Sequence, residues 1–474
     1  MSQEELKFGT SGLRGLASIL NGKPAAAFAR AFTTVMIDQG RLKKGGEVLL
    51  GRDLRSSSES IVNYCMAGIC SAGAHAIDCG LLPTPALAAY AIKVNAPAIM
   101  VTGSHIPEDR NGLKFYRPDG EIDKHDEIAI LAAESSLSAS ACATTSPNKS
   151  SNQPWAHYLA RAQSLLEAGA LRGMRIGVYQ HSSVLREMLV EVLEAYGAAV
   201  FPFGSSDFFV PVDTEAMRIE DCDLCKKKTL ELGLDAIVST DGDADRPLVA
   251  DEAGNFVRGD LIGAVTASAL GAKCVVTPIT SNSGIEKCGQ FNDILRTRVG
   301  SPYVIEGMRS FSSGASGGIV GFEANGGVLL GTDAALGNRH VTALPTRDAM
   351  LPILAVLWAS KSSGRSISSL ADNFRFSAAY ADRLQGVSSE KSRKLLHSLT
   401  TDADFRDHFL SGLITASSLD TTDGVQLKSA DGEILHYRAS GNAPELRCYV
   451  EAKSPSAAKF LLKQGLSKAQ AQVA

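Results

Sequence analysis

The sequence lacks any uninterrupted apolar run long enough to span a membrane, and its first six residues lack the basic and then apolar order of a signal peptide. It also lacks a large excess of either charge. Its 47 basic and 51 acidic residues leave a net charge of −4, which gives no reason to expect nucleic acid or an anionic membrane as a partner. The 9 cysteines are typical of reduced thiols rather than of a disulfide framework. We therefore expect a cytoplasmic protein; the sequence does not indicate an oligomeric state.

Two familiar kinds of site are missing as well. The sequence contains no GxxxxGK[ST] P-loop, so ATP is not the expected phosphoryl donor. It contains one CxxC pair, Cys222 and Cys225, but without a second pair a zinc or redox role is not expected. With 45% hydrophobic and 21% charged residues, the composition is that of a globular protein with substantial cores, long enough for about three or four domains.

A strand–helix–strand pattern with Ser or Asn at the start of the helix occurs three times, as expected for βαβ units with capped helices. The first strands of the three copies are residues 48–50, 175–179 and 274–276. Tandem copies predict three related α/β domains with mixed, largely parallel sheets.

After about residue 362 the pattern changes to polar helical stretches, short strands and a closing helix, which predicts a small α+β domain. A Ser-, Ala- and Pro-rich stretch at 135–154 predicts a linker before the second domain. We expect the four domains to surround a central cleft, with the bounds 1–145, 146–255, 256–362 and 363–474.

Three carboxylates at alternate positions, Asp241, Asp243 and Asp245, lie between two short apolar strand patterns. Three converging anions repel one another unless a cation lies between them, and oxygen-only ligands favour a hard ion such as Mg²⁺ or Ca²⁺. A solvated acidic turn is the simpler alternative. An EF-hand loop is excluded, because Arg246 occupies the position of the turn glycine and a strand precedes the loop. A Mg²⁺ ion held by three carboxylates keeps positions open for water or phosphate oxygens.

A second polar loop follows the strand pattern at 98–102. A serine at the end of a strand, Ser104, preceded by Gly103, is well placed as a nucleophile, and His105 and Lys114 follow it. By themselves these residues are also compatible with a turn and a surface lysine. A phosphate carried by Ser104 would supply the missing oxygen ligand of the metal.

Three further loops are candidates for binding a phosphorylated sugar. A turn between two arginines offers guanidinium, hydroxyl, amide and backbone N–H groups to a phosphate dianion. A glycine-rich loop near the start carries one cation, Arg14, and a third loop, 321–327, presents Glu323 and Asn325 to ring hydroxyls. The residues of the arginine-flanked turn are Arg438, Ser440, Gly441, Asn442 and Arg447.

Together the loops resemble those of the α-D-phosphohexomutase family, in the same order and over nearly the whole chain. The family's phosphoserine loop, T-[AG]-S-H-N-P followed by N-G-x-K, is matched at 102–107 and 111–114. Its metal loop, D-G-D-x-D-R, is matched in full at 241–246. Its sugar loop, G-E-x-S-G, and its phosphate loop, R-x-S-G-T-E-P-x-x-R, are approximated at 323–326 and 438–447.

The resemblance implies four domains, Mg²⁺, and a phosphorylated Ser104 that moves a phosphoryl group between C6 and C1 of a hexose. The reaction would pass through a hexose 1,6-bisphosphate, which also serves as activator. The three aspartates and the phosphate on Ser104 would hold the metal, and the arginine-flanked turn would anchor the other phosphate. Glu323 and Asn325 would bind the ring hydroxyls, Arg246 would join the substrate-binding set, and Lys114 is the candidate acid/base. To act as a base, Lys114 would need its pKa lowered by desolvation or by nearby cations such as Arg14 or Arg246; if phosphate oxygens dominate its surroundings, it only stabilises charge. Arg14 joins the catalytic set, and His105 would orient the serine loop or its phosphate.

The sugar is indicated less directly than the reaction. Ile106, Asn325, Asn442 and Ala443 depart from the family pattern, whereas Gly103 resembles phosphomannomutases more than phosphoglucosamine mutases, whose loop usually carries alanine. We therefore expect interconversion of mannose 6-phosphate and mannose 1-phosphate, feeding GDP-mannose synthesis, with glucose or glucosamine phosphates as alternatives. A magnesium-dependent sugar phosphatase and a non-catalytic sugar-phosphate sensor remain alternatives of other classes.

Overall fold

Four β-sheets of four or more strands, each with helices packed against it, follow one another along the chain. The computed structural model describes residues 6–9, 12–136, 149–311, 318–440 and 444–473. We refer to the described parts of 6–150, 153–256, 259–373 and 378–473 as the first, second, third and fourth units.

The first unit contains a mixed eight-stranded sheet. Its strands are β1 (Lys7–Phe8), β2 (Leu13–Leu16), β3 (Glu47–Arg52), β4 (His75–Leu81), β5 (Ala98–Val101), β6 (Arg110–Arg117), β7 (Gly120–Glu121) and β8 (Lys149–Ser150). Its helices are α1 (Ala17–Leu20), α2 (Lys23–Asp38), α3 (Ser58–Ser71), α4 (Thr84–Val94) and α5 (Lys124–Ser136). The strand order is β1-β2-β6-β5-β3-β4-β8, and β7 pairs with β6. The strands β3, β4 and β5 are parallel, whereas β6 is antiparallel to β5.

The second unit has a four-stranded sheet, β10-β9-β11-β12, in which β12 alone is antiparallel to its neighbour. Its strands are β9 (Arg175–His181), β10 (Ala199–Ser205), β11 (Ala236–Thr240) and β12 (Pro247–Ala250). Its helices are α6 (Gln153–Ser164), α7 (Arg186–Ala195) and α8 (Ile219–Leu232).

The third unit repeats this arrangement and adds a two-stranded hairpin, β17 with β18. Its strands are β13 (Ala272–Pro278), β14 (Asp293–Thr297), β15 (Gly318–Phe322), β16 (Val328–Leu330), β17 (Ala334–Leu336), β18 (Arg339–Val341) and β19 (Leu344–Asp348). Its helices are α9 (Gly259–Ala269), α10 (Gly284–Lys287), α11 (Ser301–Phe311) and α12 (Met350–Ser363), followed by a 3₁₀ helix at Ser368–Asn373. The sheet order is β14-β13-β15-β16-β19.

The fourth unit differs in kind, because its five-stranded sheet is antiparallel throughout. Its strands are β20 (Ala378–Gln385), β21 (Ala416–Asp420), β22 (Val425–Ser429), β23 (Ile434–Ala439) and β24 (Glu445–Ala452), in the order β20-β24-β23-β22-β21. Its helices are α13 (Ser389–Thr401), α14 (Ala403–Leu410) and α15 (Pro455–Val473).

The predicted fold class, three related α/β domains followed by an α+β domain, is confirmed. The expected Ser or Asn caps are wrong for the N-cap positions, because no N-cap side chain of α3, α7 or α10 accepts a capping hydrogen bond. Ser58 and Ser283 donate to Asp53 and Glu451 instead, whereas Ser183 and Asn282, which precede the N-cap residues, accept from the N–H groups of Leu185 and Gly284. The predicted domain bounds stay predictions; β8 lies beyond the first of them, and α12 crosses the third. Most of the predicted linker, 137–148, lies outside the described residues.

The hydrophobic cores show how the units are joined. One cluster of buried apolar side chains runs through the first three units and includes Met100, Val238 and Phe322. The fourth unit has a core of its own. It meets the third unit through polar contacts, such as Ser283 Oγ donating to Glu451 Oε2 at 2.6 Å. No helix within the described ranges combines the length and apolarity needed to cross a membrane.

Candidate active site

The loops that contain Ser104, Asp241 and Glu323 occupy equivalent places in the first three units. Each loop follows a strand that pairs in parallel with one neighbour, and it leads into the next strand of the chain, which pairs antiparallel with that same strand. The three loops join β5 to β6, β11 to β12 and β15 to β16. The carboxyl ends of parallel strands are the usual location of binding sites in α/β proteins. The internal repeat therefore produces three loops of the same topological kind.

Ser104 is fully buried and lies directly against the acidic loop of the second unit. Its Oγ donates a hydrogen bond to Asp241 Oδ2 at 2.6 Å and lies 3.2 Å from Nδ1 of His105. Its backbone has the left-handed conformation, with φ 56°, and its N–H donates to Thr102 Oγ1 at 2.8 Å. A non-glycine residue in this conformation is uncommon and is found where surrounding contacts impose it.

A buried ion pair in the first unit, Asp53 with Arg55, fixes the shape of the serine loop. The Arg55 guanidinium donates to four backbone carbonyls, including that of Ser104 at 3.0 Å. Asp53 accepts from Thr102 Oγ1 at 2.7 Å and from Arg55 Nε at 3.2 Å. The sequence analysis missed both residues, because they carry no motif and act on a loop about fifty positions away.

The three aspartates of the second unit converge as predicted. One carboxylate oxygen from each of Asp241, Asp243 and Asp245 lies within 4.8 Å of the others, and all three side chains are buried. Asp243 Oδ1 and Asp245 Oδ1 are buried and accept no hydrogen bond from the described residues. Buried acceptors without donors are costly, and three hard oxygen donors suit a divalent cation such as Mg²⁺. The acidic cluster therefore fits a metal ion.

The charges of the cluster are unequal. Burial and the repulsion of Asp243 and Asp245 raise the pKa of Asp241 well above its ordinary value. Burial also acts to raise the pKa of Asp245, but Arg347 and Lys114 outweigh it and hold that pKa below its ordinary value. A cation among the three carboxylates would offset the repulsion that acts on Asp241.

Lys114 lies inside this cluster rather than on the surface. Its Nζ is 2.6 Å from both Asp243 Oδ2 and Asp245 Oδ2. Thr84, at the start of α4, also donates to Asp243 Oδ2, at 2.5 Å. The lysine and the threonine, both in the first unit, thus tie the acidic loop of the second unit to the serine loop.

The other predicted residues near Ser104 are cationic or neutral. Burial, assisted by Arg246 and Arg14, lowers the pKa of His105 well below its ordinary value, so its imidazole is neutral near pH 7. Burial and the charges of Arg246 and Arg347 lower the pKa of Arg14 to about 10, which leaves its guanidinium charged. Arg246 Nε lies 3.9 Å from Asp241 Oδ2 and 3.8 Å from Asp245 Oδ1.

The predicted sugar loop approaches the acidic cluster through an arginine that the sequence analysis missed. Arg347, on β19, donates to Asp245 Oδ2 at 2.7 Å and to Glu323 Oε2 at 3.1 Å. Asn325 Oδ1 accepts from its own loop, from the N–H of Gly327 at 2.9 Å, and its carbonyl accepts from Thr214 Oγ1 at 2.8 Å. Arg347 belongs to no recognised motif, and its separation along the sequence from Asp245 and from Glu323 matches no local pattern.

The predicted phosphate anchor lies in the fourth unit. Arg438 and Arg447 are directly opposite each other on the antiparallel strands β23 and β24. Like charges at such a pair are unfavourable without an anion between them. Arg438 Nε is held by Asp423 Oδ2 at 2.7 Å, and the N–H of Ser440 donates to the carbonyl of Glu445 at 2.9 Å. Gly441 and Asn442 lie outside the described residues.

Arg246 of the metal loop and Arg447 of the anchor both affect the pKa of one carboxylate, that of Glu215. Although Glu215 is an exposed residue, desolvation by the surrounding protein and the charge of Asp213 raise its pKa, whereas Arg246 and Arg447 act to lower it. Arg246 belongs to the metal loop, Glu323 to the sugar loop and Arg447 to the anchor. Hydrogen bonds join the serine, metal and sugar loops directly, and the anchor is linked to them by the effect of Arg447 on the pKa of Glu215.

Comparison with known proteins identifies the family. Sequence models of the phosphoglucomutase/phosphomannomutase α/β/α domains I, II and III match residues 5–138, 153–254 and 258–376. A phosphomannomutase of Sinorhizobium fredii is 47% identical over 465 residues, covering 97% of this chain and 98% of that protein. A phosphomannomutase of Salmonella muenchen is 40% identical over 474 residues, covering 100% of this chain and 97% of that protein.

Solved structures show the same fold at lower identity. A phosphoglucomutase/phosphomannomutase family protein of Burkholderia thailandensis has a TM-score of 0.75 at 18% identity, over 98% of this chain and 97% of that one. An Aspergillus fumigatus N-acetylphosphoglucosamine mutase, solved with GlcNAc-6P and magnesium, has a TM-score of 0.62 at 15% identity, over 100% of this chain and 97% of that one. The resemblance carried by the sequence motifs is confirmed, and the chain belongs to the phosphoglucomutase/phosphomannomutase family.

Proposed function

We propose that the protein interconverts mannose 6-phosphate and mannose 1-phosphate through a phosphorylated Ser104 and a hexose 1,6-bisphosphate. The observation that carries the proposal is the 2.6 Å contact between Ser104 Oγ and Asp241 Oδ2, which joins a nucleophile of one unit to the acidic cluster of another. The identity of 47% and 40% to two phosphomannomutases over nearly the whole chain supports mannose as the sugar.

In the first half of the reaction the phosphoryl group leaves Ser104. The bond between phosphorus and Ser104 Oγ breaks, a bond to the free sugar hydroxyl forms, the hydroxyl loses its proton and Oγ gains one. In the second half, the other phosphate of the bisphosphate returns to Ser104 after the sugar has reversed its orientation. This scheme requires one fixed donor and a separate anchor for the phosphate that does not react.

Lys114 is the candidate acid/base for these proton transfers. Its Nζ lies 2.6 Å from both Asp243 Oδ2 and Asp245 Oδ2, inside the acidic cluster that Ser104 contacts, which supports this assignment. His105 has a neutral imidazole 3.2 Å from Ser104 Oγ, which supports a role in orienting that oxygen. Arg14 adds positive charge beside the transferring phosphoryl group.

The residues that would hold Mg²⁺ are Asp241, Asp243 and Asp245, together with a phosphate oxygen on Ser104. When bound, the ion would offset negative charge on the transferring phosphoryl group. The two buried oxygens of Asp243 and Asp245 that lack donors among the described residues support this assignment. A hexose 1,6-bisphosphate would serve as activator, because it can phosphorylate Ser104.

The remaining site residues would bind the substrate. Arg438, Ser440, Gly441, Asn442 and Arg447 would anchor the phosphate that does not react, and the cross-strand pairing of the two arginines supports this. Glu323 and Asn325 would hold ring hydroxyls, and Arg246, a buried cation of the metal loop, would meet the substrate's phosphate. Hexose phosphates as substrates and the free thiols of the described cysteines favour the cytoplasm.

A coupled assay tests the proposal. The protein, with Mg²⁺ and a hexose 1,6-bisphosphate present, is given mannose, glucose or glucosamine 6-phosphate, and each 1-phosphate and inorganic phosphate are measured. We expect the highest kcat/KM for mannose 6-phosphate and little inorganic phosphate. A higher kcat/KM for another sugar phosphate would replace mannose 6-phosphate as the assigned substrate. Sustained release of inorganic phosphate without 1-phosphate would indicate a phosphatase, and no reaction with any sugar would indicate a sensor.

A further inference from the structure

We propose that Arg347 is a positioning residue that sets the geometry of the metal loop and the sugar loop together. The inference deepens the proposed function and rests on it, since it concerns how the same site holds its metal ligand and its sugar ligand. Arg347 belongs to neither loop in the sequence. It lies on β19, at the far edge of the sheet of the third unit.

Arg347 holds one carboxylate oxygen of Asp245, in the metal loop. Arg347 donates to Asp245 Oδ2 through two nitrogens, Nε at 3.1 Å and Nη2 at 2.7 Å, and Lys114 Nζ lies 2.6 Å from the same oxygen. Three donors on one oxygen fix the rotation of the carboxylate. The other oxygen, Oδ1, is buried and accepts no hydrogen bond within the described part of the chain. Arg347 thereby keeps a charged oxygen available for a cation.

Arg347 also holds Glu323, in the sugar loop. The Nη1 nitrogen of the same guanidinium lies 3.1 Å from Glu323 Oε2, which leaves Oε1 for other donors, such as a sugar hydroxyl. A guanidinium is planar and rigid, so its two ends cannot move independently. A shift of Asp245 therefore moves the donor that holds Glu323, and the reverse is equally true.

Gly327 leaves space for the Arg347 side chain, and Thr346 fixes the strand on which Arg347 lies. A Cβ on Gly327 would lie 2.6 Å from Arg347 Cδ, so a side chain at position 327 would displace the arginine. The preceding residue, Thr346, donates to Glu121 Oε1 at 2.8 Å, and Ser301 donates to the other oxygen of Glu121 at 2.8 Å. Glu121 belongs to the first unit. The position of Arg347 is thus set by contacts with the first unit, and its guanidinium holds residues of the second and third.

The charge state is consistent with this role. Burial acts against the charged guanidinium, but Asp245 and Glu323 outweigh it and raise the pKa of Arg347 well above its ordinary value. Only 3% of the residue's surface is exposed, so its charge is neutralised by these carboxylates rather than by water. Removing it would leave two buried carboxylates without their shared counter-charge.

The experiment compares Arg347→Gln, Arg347→Lys and an exposed control on the same unit, Arg309→Gln, with the unaltered protein. Mn²⁺ binding without sugar is measured by electron paramagnetic resonance. KM and kcat for mannose 6-phosphate are measured at saturating Mg²⁺, and unfolding midpoints are measured for every protein. The metal-binding arm does not depend on catalysis, so it tests Arg347 even where the proposed reaction fails.

We expect Arg347→Gln to weaken Mn²⁺ binding and to raise KM, each by about tenfold, while Arg309→Gln changes neither. Arg347→Lys keeps the charge but cannot span both carboxylates. We therefore expect its Mn²⁺ affinity to be close to that of the unaltered protein and its KM to be as high as that of Arg347→Gln. A folded Arg347→Gln protein with unaltered Mn²⁺ affinity and unaltered KM overturns the proposal. If that variant does not fold, Arg347→Lys and Gly327→Ala, which displaces the guanidinium without removing it, are judged against the same two quantities.

Discussion

The guanidinium of Arg55 packs directly against Gly103, so that a Cβ on residue 103 would lie 2.6 Å from Arg55 Cζ. Arg55 is 3% exposed and cannot withdraw, because it donates to four carbonyls of the serine loop and to Asp53. The same guanidinium lies 3.8 Å from the centre of the Phe209 ring in the second unit. The glycine before Ser104 is therefore required by the arginine beneath it.

The first prediction follows for Gly103→Ala. The added methyl group must displace Arg55, so we expect a loss of about 1–3 kcal/mol in the free energy of unfolding and at least a tenfold lower kcat/KM. Urea titration and the isomerisation assay measure the two effects. Gly318→Ala is the matched control, because its Cβ would lie 3.6 Å from Ala272 Cα, at ordinary contact distance. Activity of Gly103→Ala equal to that of the control would show that Arg55 does not constrain the loop.

The second prediction concerns metal binding to the acidic cluster. A ligand that binds the folded state at 100 times its dissociation constant stabilises it by about 2.7 kcal/mol, so we expect Mg²⁺ to raise Tm and a chelator to reverse the increase. Asp243→Asn should lose the Mg²⁺-dependent increase and nearly all activity. The control is Asp207→Asn, an exposed residue of the same unit. A Tm that rises equally with Mg²⁺ in Asp243→Asn would place the metal elsewhere.

The third prediction separates substrate binding from chemistry. Arg438 lies in the anchor and not at Ser104, so Arg438→Ala should raise KM for mannose 6-phosphate at least tenfold and lower kcat less. Asp423→Asn should have a weaker effect in the same direction, because Asp423 holds Arg438 at 2.7 Å. Arg393→Ala, an exposed arginine on α13, serves as control. A lower kcat at unaltered KM would contradict the assignment of Arg438 to the anchor.

The fourth prediction concerns pH and His181, which is buried beneath the metal loop and pairs through Nε2 with the carbonyl of Thr240 at 2.8 Å. Burial lowers the pKa of His181 to about 4, from an ordinary value of 6.5. The folded state therefore favours the neutral ring. Its stabilising contribution is complete above pH 6.5 and is lost as the pH falls towards 4, at about 1.4 kcal/mol per pH unit.

Urea titrations at pH 7.5 and pH 5 measure this effect. We expect the free energy of unfolding of the unaltered protein to fall by about 2 kcal/mol more than that of His181→Gln, which cannot titrate. The exposed residue His397 provides the control variant, His397→Gln, which should behave as the unaltered protein does. An equal fall in the unaltered protein and in His181→Gln would rule out His181 as the source.

The parts of the site that could be predicted from the sequence are those in which neighbouring residues act together. Asp241, Asp243 and Asp245 lie on one short loop, so their convergence needs only a turn, and the motif around Ser104 is equally local. Arg347 contacts Asp245 across 102 residues and Glu323 across 24, and no local pattern encodes either distance.

The helix starts show a second limit of the sequence. Ser58 and Ser283 are of a residue type that commonly caps helices, but their hydroxyls donate to the buried carboxylates of Asp53 and Glu451. A local rule cannot anticipate a carboxylate that tertiary structure brings to the same place. The order of strands and helices was predictable because hydrophobic periodicity is local, and the meeting of Ser104 with the aspartates was predictable from their chemistry; the contacts of Arg55 and Arg347 were not.

The most direct test of the account is to follow one phosphate on Ser104. The protein is incubated with a hexose 1,6-bisphosphate, the phosphorylated residue is located by mass spectrometry, and mannose 6-phosphate is then added with rapid quenching. We expect one phosphate on Ser104, lost at the rate at which mannose 1,6-bisphosphate and mannose 1-phosphate appear, and a Ser104→Ala protein that neither carries phosphate nor isomerises the sugar. Isomerisation by Ser104→Ala at the rate of the unaltered protein would contradict the account.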